Sequence, residues 1–463
     1  MTGEAPASRT LVRGLGPWAS ASIVVGTIIG TGVFLKAAVM AQLGGSPVWV
    51  LAAWAVAGAL SFTGAMTYAE LGGMFPAAGG EYVYLRRGYG PFMAYLYAWI
   101  RFWIGAPGSI AAYAVGSATF LATAVPLGGG EKAVAVALVL VFTAINCLNV
   151  RSGGRLQTVL TVMKIVMILG LAVGALTASG GSWGNFRRGS GGAFPGWGAF
   201  GAMVLAALWA YDGWNNLPMA AGEIHDPQRN LPRATVGGMF AVLAIYALVN
   251  VGYFHALPMS EIAASRSSDF PHAPAVAAKA AMQFLGGPAL VVLAVAMAIS
   301  AISAMNGSIL TGARVPYAAA KDGLAPARLA RLSAGGRVPV TALLVQGAIA
   351  CVLALSGSFD QLTDAVVFVS WLFYGLNAGS VLLLRRREPG RLRPFRVPGF
   401  PAVPIVFIGL AILLIVNTVR TTPGPSALGL AVTAVGAAIY AVFLRHTPRP
   451  PEPSPGSDGP VDR

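Results

Sequence analysis

The sequence predicts an all-helical integral membrane protein in which two sets of five spanning helices form an inverted repeat. Three observations predict this fold: the composition, twelve long apolar segments, and turn-forming residues near the middle of the first and sixth segments. Of the 463 residues, 56% are hydrophobic and only 10% are charged, and the mean hydropathy is +0.70. Soluble domains carry about 25% charged residues. The lipid bilayer is therefore the solvent around most of this chain.

A helix needs about 20 mostly apolar residues to span a bilayer. The twelve segments that meet this need, numbered one to twelve in chain order, are 17–42, 46–72, 91–124, 133–150, 156–178, 199–221, 234–256, 286–320, 338–356, 360–384, 402–419 and 426–445. Segments one to five (17–178) and six to ten (199–384) form the two predicted repeats, and an odd number of helices gives them opposite orientations. Segments eleven and twelve (402–445) stand outside them. We expect residues 1–16 to be a polar N-terminal segment and the Pro-rich tail 446–463 to be disordered.

The distribution of Lys and Arg predicts the orientation in the membrane. With the N-terminus inside, 21 of the 31 basic residues fall on the cytoplasmic side, six fall outside and four lie within segments. Short cytoplasmic loops carry the excess of basic residues in membrane proteins. We therefore expect a multi-pass protein of the cell membrane with both termini in the cytoplasm. The net charge of +15 is mainly this orientation signal, so we expect no nucleic-acid partner.

Residues that would carry metal, redox or catalytic chemistry are sparse. The four histidines are scattered, and Cys147 and Cys351 both lie in apolar segments, where buried structural thiols are expected. No metal-ligand spacing and no catalytic set is found, which argues against a cofactor, a metal site and an enzyme. A channel would need a continuous polar lining or symmetric pore rings, and neither is visible. A receptor that senses a substrate, built on the scaffold of a transporter, is an alternative that remains open.

Two segments contain residues that weaken a helix near its middle. Segment one holds "GTIIGTGVF" (26–34), with three glycines, and segment six holds "WAYDGWNNLP" (209–218). Glycine in a helix costs roughly 1 kcal/mol relative to alanine, although close packing of membrane helices is an alternative reason for it. Interrupted helices at corresponding places in two halves indicate a transporter built from inverted repeats.

An interrupted helix exposes both kinds of backbone group. Unwinding at Gly30, Thr31 and Gly32 frees N–H groups at the start of a half-helix, where partial positive charge suits a carboxylate. The break in segment six supplies free carbonyls, which suit an ammonium group. A site for a carboxylate beside a site for an ammonium describes an α-amino acid.

Four of the ionisable residues within segments need an explanation. Lys164 is about nine residues past Arg155, or roughly 14 Å along a helix, which is close to the middle of a 30 Å core. Asp212 is similarly deep, and such groups are functional candidates by default. Arg101 stands among aromatic residues, where a cation–π or helix-end role is at least as good an explanation. Arg314, near the cytoplasmic end of segment eight, is either structural or part of a gate.

Four stretches give the chain a family resemblance. They are "GTIIGTGVF" (26–34), "YAELGGMFPAAGGEYVYL" (68–85), "LWAYDGWNNLPMAAGEIHDPQRNLPRA" (208–234) and "MNGSILTGARVPYAAAKDG" (305–323). In this order they resemble the amino acid–polyamine–organocation superfamily, within it the L-type amino acid transporter branch and its bacterial relatives. The resemblance covers about residues 15–445. It implies the five-plus-five inverted-repeat fold of the bacterial leucine transporter, with helices one and six discontinuous.

The resemblance also implies a substrate site. The amides of Thr31 and Gly32 would hold the substrate carboxylate, and the carbonyls of Ile28, Trp209 and Asp212 its amine. The Trp209 ring would cover the substrate. Relatives often have phenylalanine there, and because the tryptophan ring is bulkier it could shrink the pocket, which argues for small substrates. The residues expected to bind substrate are Ile28, Gly30, Thr31, Gly32, Ser109, Trp209, Ala210, Asp212, Gly213 and Asn215. The side chain of Asp212 either faces a cationic substrate or, as we expect, caps or pairs locally.

The resemblance also gives Lys164 a role in whether transport depends on sodium. Sodium-coupled relatives hold a sodium ion between segments one and eight, whereas in the L-type branch a lysine of segment five places its ammonium there. The expected partners of Lys164 are carbonyls near Gly26–Ile28 and a hydroxyl from Ser300 or Ser303. We therefore expect a sodium-independent exchanger of small or medium neutral amino acids. A proton-coupled symporter, for cationic amino acids or polyamines, is the alternative.

A disulfide-linked partner subunit is not expected. The animal relatives pair through a cysteine in the loop between segments three and four. Here that loop, "VPLGGGEKA" (125–133), contains no cysteine.

Overall fold

A computed structural model describes residues 10–187, 193–267, 269–270, 273–357, 359–421 and 423–445. The expected disordered tail and the first nine residues of the expected N-terminal segment lie outside the described residues. Within the described part no β-strand occurs, and a single parallel bridge joins Leu15 to Ile224.

The described residues form nineteen α-helices. They are α1 Pro17–Ile28, α2 Gly32–Gly44, α3 Pro47–Met74, α4 Glu81–Tyr89, α5 Pro91–Ile100, α6 Ala106–Ala124, α7 Glu131–Leu148, α8 Val150–Thr177, α9 Trp197–Ala210, α10 Asn216–Met219, α11 Pro227–Ala256, α12 Met259–Ala263, α13 Val276–Leu285, α14 Ala289–Gly312, α15 Arg314–Lys321, α16 Val340–Ser356, α17 Phe359–Arg387, α18 Ala402–Thr421 and α19 Pro423–Ile439. π-helical turns lie at Arg101–Gly105 and Tyr440–Leu444, and 3₁₀ turns at Trp183–Phe186, Ala221–Glu223 and Ala327–Ala330.

Nine helices in the described residues are long and apolar enough to cross a membrane. They are Pro17–Gly44 (α1 and α2 together), Pro47–Met74, Pro91–Ala124, Glu131–Leu148, Val150–Thr177, Pro227–Ala256, Ala289–Lys321, Ala402–Thr421 and Ser426–Leu444. These correspond to nine of the twelve expected segments. Segments six and nine correspond to α9 and α16, which are apolar but shorter, and segment ten corresponds to α17. The chain is an all-helical protein with many apolar helices.

Helix packing brings the interrupted segments to the centre. The most extensive pairings are α6 with α14 and α3 with α11. Helix α1 packs against α8, α11 and α14, while α2 packs against α9. The break between α1 and α2 is therefore enclosed by segments five, six, seven and eight.

Some structure was not expected from the sequence. Helix α4 lies in the stretch between segments two and three, and α13 lies between segments seven and eight. The third segment contains a π-helical turn at Arg101–Gly105. Pro107 follows this turn, and because proline lacks an N–H and its ring clashes with the carbonyl four residues earlier, it cannot extend a regular helix backwards. The local widening relieves that conflict.

The residues just before α1 are held by backbone hydrogen bonds to a segment that also forms a buried ion pair. The amides of Gly14 and Leu15 donate to the Glu223 carbonyl at 2.9 Å each, and the His225 amide donates to Leu15 at 2.9 Å. The side chain of Glu223 accepts two hydrogen bonds from Arg314, at 2.6 and 2.9 Å. Arg314 and Glu223 are 1% and 0% exposed. Arg314 thus joins the start of α15 to the chain that follows segment six.

Candidate functional site

The helix of segment one is interrupted at three residues. Helix α1 ends at Ile28 and α2 begins at Gly32. The amide of Gly30 donates to the Ile28 carbonyl at 2.8 Å, whereas a regular helix would direct it to Gly26, four residues back. The carbonyl of Gly26 therefore loses its partner within the helix.

A lysine and a serine take the place of the missing helix donors. The Lys164 ammonium donates to Gly26 O at 2.7 Å and also to Ile29 O. The Ser300 hydroxyl lies 2.9 Å from Gly30 O and 3.1 Å from Ile29 O. Lys164 is 1% exposed. A positive charge at the C-terminal end of a helix is favourable because the last carbonyls carry partial negative charge, so Lys164 stabilises the end of α1.

The other side of the break presents N–H groups. No hydrogen bond from the amides of Thr31, Gly32 or Val33 is found in the described part of the chain. The hydroxyl of Thr31 is buried and likewise has no partner there. The first amides of α2 also carry the partial positive charge of a helix N-terminus. This group of donors can bind a carboxylate.

Two of the three glycines in this stretch are required by packing. A Cβ atom on Gly32 would stand 2.5 Å from Cβ and 2.8 Å from Cα of Ala210. A Cβ atom on Gly26 would overlap Gln157 and Thr161 of α8. The packing alternative weighed for these glycines thus applies to Gly26 and Gly32, which allow segments five and six to approach segment one.

Gly30 differs from its two neighbours. A Cβ atom there would meet only the ring of Tyr113, at 3.7 Å, and its own turn. Tyr113 lies in α6, one turn beyond Ser109, whose hydroxyl donates to Gly105 O at 2.8 Å within its own helix. Tyr113 is therefore a residue of segment three that lies at the break. Sequence reasoning missed it because an aromatic residue in an apolar span gives no signal.

The second interruption touches the first. Helix α9 ends at Ala210, residues 211–215 form turns, and α10 begins at Asn216. Gly213 has φ +125°, and a Cβ atom there would stand 2.8 Å from the carbonyl carbon of Thr27. The Thr27 hydroxyl lies 2.9 Å from Gly213 O. Only glycine combines this dihedral angle with this close approach.

Tyr246 of α11 bridges the two breaks. Its hydroxyl lies 3.2 Å from Ile28 O and 3.0 Å from Ala210 O, and its side chain is fully buried. The single hydroxyl hydrogen is shared between these two carbonyls, and Ile28 O also accepts from the Gly30 amide. The carbonyl of Asp212 accepts no hydrogen bond from any described residue. Tyr246 was also missed, for the same reason as Tyr113.

The side chains of segment six point to specific partners. Asp212 accepts a hydrogen bond from the Tyr374 hydroxyl of α17 at 3.0 Å. This partner is 162 residues away, and the Gly213 backbone hydrogen-bonds the same carboxylate, which is the local contact that the sequence suggested. The Lys36 ammonium lies over the Trp209 ring, 4.7 Å from its centroid. Trp209 also lies beside Gly32, with its ring 3.3 Å from the position of a Cβ atom on that glycine.

Asn215 and Arg101 belong to a buried polar cluster around Glu81. The Asn215 amide lies 3.4 Å from the Glu81 carboxylate, which also accepts from Tyr68 at 2.5 Å and from Tyr97. Asn215 therefore satisfies a buried acid, which needs donors because burial removes its water. Arg101 donates to Asn216 Oδ1 at 3.0 Å, a contact that the aromatic residues beside it in sequence did not suggest.

Ser303 follows Ser300 by three residues in α14. Its hydroxyl is 3.4 Å from Gln157 Nε2 and 3.5 Å from the Thr161 hydroxyl. Among the described residues it makes no hydrogen bond to Lys164. No group of three or more His, Cys, Asp or Glu in the described part could hold a metal ion.

Comparison with known proteins identifies the family. The family model described as amino acid permease matches residues 15–444. The chain belongs to the amino acid permease family. Relatives of this permease include the b(0,+)-type amino acid transporter 1 of Rattus norvegicus, 32% identical over 424 residues that cover 90% of this chain and 85% of the relative.

Two further relatives are transporters named for other substrates. The serine/threonine exchanger SteT of Bacillus subtilis (strain 168) is 30% identical over 430 residues, covering 90% of the permease and 94% of SteT. The cystine/glutamate transporter of Homo sapiens is 29% identical over 442 residues, covering 94% and 85%. The permease is therefore a multi-pass membrane protein grouped with amino acid transporters rather than with enzymes.

Proposed function

We propose that this permease is a sodium-independent secondary transporter that exchanges small or medium neutral L-amino acids by alternating access. The observation that carries the proposal is the break in segment one, where the C-terminal end of α1 and the N-terminal end of α2 carry opposite partial charges. One end offers the amides of Thr31, Gly32 and Val33 without partners, and the other is held by the ammonium of Lys164. Such a site can bind a carboxylate without a metal ion beside it.

The substrate amine is placed against segment six in this proposal. Of the carbonyls expected to hold it, Ile28 O already accepts from the Gly30 amide and lies 3.2 Å from the Tyr246 hydroxyl, whereas Asp212 O accepts no hydrogen bond from the described residues. The Trp209 carbonyl accepts from the amides of Tyr211 and Asp212. We therefore assign the amine to Asp212 O. The Trp209 ring and Tyr113 then form opposite walls of the site, since each lies beside a glycine of the break.

Lys164 supports the absence of sodium coupling. Its ammonium and the Ser300 hydroxyl share the Ile29 carbonyl, and together they reach the carbonyls of Gly26 and Gly30. Backbone carbonyls and a hydroxyl are oxygen ligands of the kind that a sodium ion would use. A fixed ammonium already supplies the positive charge there. Sodium is then not required to hold the break together.

The proposed topology has twelve spans, two inverted five-helix repeats and cytoplasmic termini. Helix packing supports the repeat. Under five-plus-five numbering, segment two corresponds to segment seven and segment three to segment eight. The two most extensive pairings, α3 with α11 and α6 with α14, each join such a corresponding pair, as a two-fold axis in the membrane plane would require.

Exchange, rather than net uptake, is supported by the name of one relative. SteT is described as a serine/threonine exchanger.

We also propose that the permease works without a disulfide-linked partner, because its two cysteines, Cys147 and Cys351, lie in α7 and α16 and not in the loop that follows segment three. A non-reducing gel of the membrane-expressed protein that shows a mixed disulfide would overturn this part.

Transport in liposomes tests the function. Purified permease is reconstituted in vesicles that are either preloaded with unlabelled amino acids or empty, and uptake of a labelled panel is followed with choline in place of sodium. Uptake only into loaded vesicles is expected. A strict sodium requirement would overturn the proposal. Accumulation in empty vesicles driven by an inward proton gradient, above all of cationic amino acids or polyamines, would establish the alternative symporter.

A further inference from the structure

An open groove lies at the N-terminal end of α11, away from the two helix breaks. Its volume is about 710 Å³, which falls within the range of about 300–1,000 Å³ found for small-molecule sites. One wall is the first turns of α11, and the other is the chain between α17 and α18, including Leu392 and Phe395. In the proposed topology this groove opens at the cytoplasmic edge of the membrane.

The helical wall carries two arginines in register. Arg229 and Arg233 are four residues apart on α11, so they lie on one face about 6 Å apart along the axis. Both are exposed, and neither forms an ion pair or hydrogen bond through its side chain within the described part of the chain. The groove contains one acid, Asp226, just before the helix. The lining is therefore net positive.

Apart from Gln228, the rest of the groove is apolar, and in the proposed topology it continues toward the lipid. Leu392 is 69% exposed, although it stands beside the polar end of the helix. One turn above Arg233, Val236 and Gly237 line the groove, and Phe240 follows with 67% of its surface exposed. The groove thus changes from basic to apolar along the direction in which α11 enters its membrane-spanning part.

We propose that this groove binds an anionic phospholipid, with its phosphate headgroup between Arg229 and Arg233 and its acyl chain along Gly237 and Phe240. Two positive charges at a membrane surface match an anionic headgroup, and planar guanidinium groups bind phosphate oxygens in pairs. The apolar continuation distinguishes a lipid from a soluble phosphate. This site does not depend on the transport site or on the identity of the amino acid.

Native mass spectrometry of the intact permease tests the proposal. The protein is released from nanodiscs that contain equal amounts of phosphatidylglycerol and phosphatidylcholine with the same acyl chains, and the retained lipids are counted. We expect the wild type to retain phosphatidylglycerol selectively. In the double variant Arg229→Gln/Arg233→Gln the ratio of retained phosphatidylglycerol to phosphatidylcholine should fall about thirty-fold, because each basic residue near the surface contributes about a factor of five. The variant Arg229→Lys/Arg233→Lys should keep most of it.

The matched control is Arg328→Gln/Arg331→Gln, which removes two other exposed arginines. It should retain phosphatidylglycerol as the wild type does, and excess inorganic phosphate should not displace the lipid. Equal retention of both lipids by the wild type, unchanged preference in Arg229→Gln/Arg233→Gln, or an equal loss in the control would overturn the proposal. Displacement by phosphate would show an anion site without the acyl-chain track. Exchange by the double variant in phosphatidylcholine vesicles should be unchanged, which shows that it is folded.

Discussion

Replacing Lys164 by methionine removes the positive charge from the break in segment one while keeping most of the side-chain volume. In the structure this ammonium donates to Gly26 O and Ile29 O, and it is 1% exposed. Hydrogen bonds from a charged group contribute about 1.5–3 kcal/mol each. Losing both therefore weakens the interrupted conformation by about 3–6 kcal/mol. Water cannot easily replace the donors because the site is buried.

This loss has a measurable consequence for transport. If the interrupted conformation is the one that binds substrate, a change of 3 kcal/mol, the lower bound, reduces its population by about two orders of magnitude. We expect exchange by Lys164→Met to fall by at least about 100-fold in loaded liposomes. The protein should still elute as a single species in detergent, since the remaining contacts of α8 with α1, α11 and α14 persist.

Lys132→Met provides the control. Lys132 is exposed, and it too donates to a backbone carbonyl, that of Leu355, at 2.6 Å. Its loss should change exchange by less than about three-fold, because water can satisfy an exposed carbonyl. Exchange by Lys164→Met within this same range would refute the role of the lysine. Recovery of Lys164→Met activity on adding sodium would instead support it, since a cation would be filling the same place.

Three other perturbations test the geometry of the site and its supports. Gly32→Ala should lower the melting temperature by several degrees and abolish exchange, because the new methyl group meets Ala210 at 2.5 Å. The control Gly30→Ala, whose methyl group meets no side chain closer than 3.7 Å, should keep the melting temperature of the wild type. Equal shifts in the two variants would contradict the packing. Tyr246→Phe leaves the Ala210 carbonyl without its donor and removes one of the two from Ile28 O, so it should raise KM for exchange roughly five- to thirty-fold, at about 1–2 kcal/mol; an unchanged KM would exclude the bridge. Glu223→Gln should destabilise the fold by about 3–5 kcal/mol because it leaves a buried arginine unpaired, as measured by thermal unfolding in detergent. Removal of the arginine partner in the same protein, by Arg314→Met, should recover part of the loss, and no recovery would show that the pair does not act as a unit.

The apolar segments and the positions where two helices end could be predicted from local sequence. Hydropathy sets where a helix can lie in lipid, and the glycines of 26–34 and the turn residues of 209–218 mark where a helix ends. The structure ends α1 at Ile28 and α9 at Ala210, inside both stretches. The depth of Lys164 in segment five followed from counting residues along a helix.

The partners in the site could not be predicted in this way. Tyr113 and Tyr246 are single aromatic residues in apolar spans, and nothing in their local sequence shows that one faces Gly30 and the other bridges two carbonyls. The same holds for the contact of Asn215 with Glu81 and for that of Asp212 with Tyr374. Each of these contacts joins residues more than 80 positions apart or on separate helices.

The sequence by itself determined that this chain is a membrane protein, and it located the two stretches in which α1 and α9 end. These properties depend on composition and on neighbours a few residues away. Only the tertiary structure decided which groups satisfy the broken ends: Lys164 and Ser300 for the carbonyls of α1, and no described residue for the amides of α2. The reason is that a freed backbone group can be satisfied by any donor or acceptor that packing brings within about 3 Å, and packing depends on every helix at once.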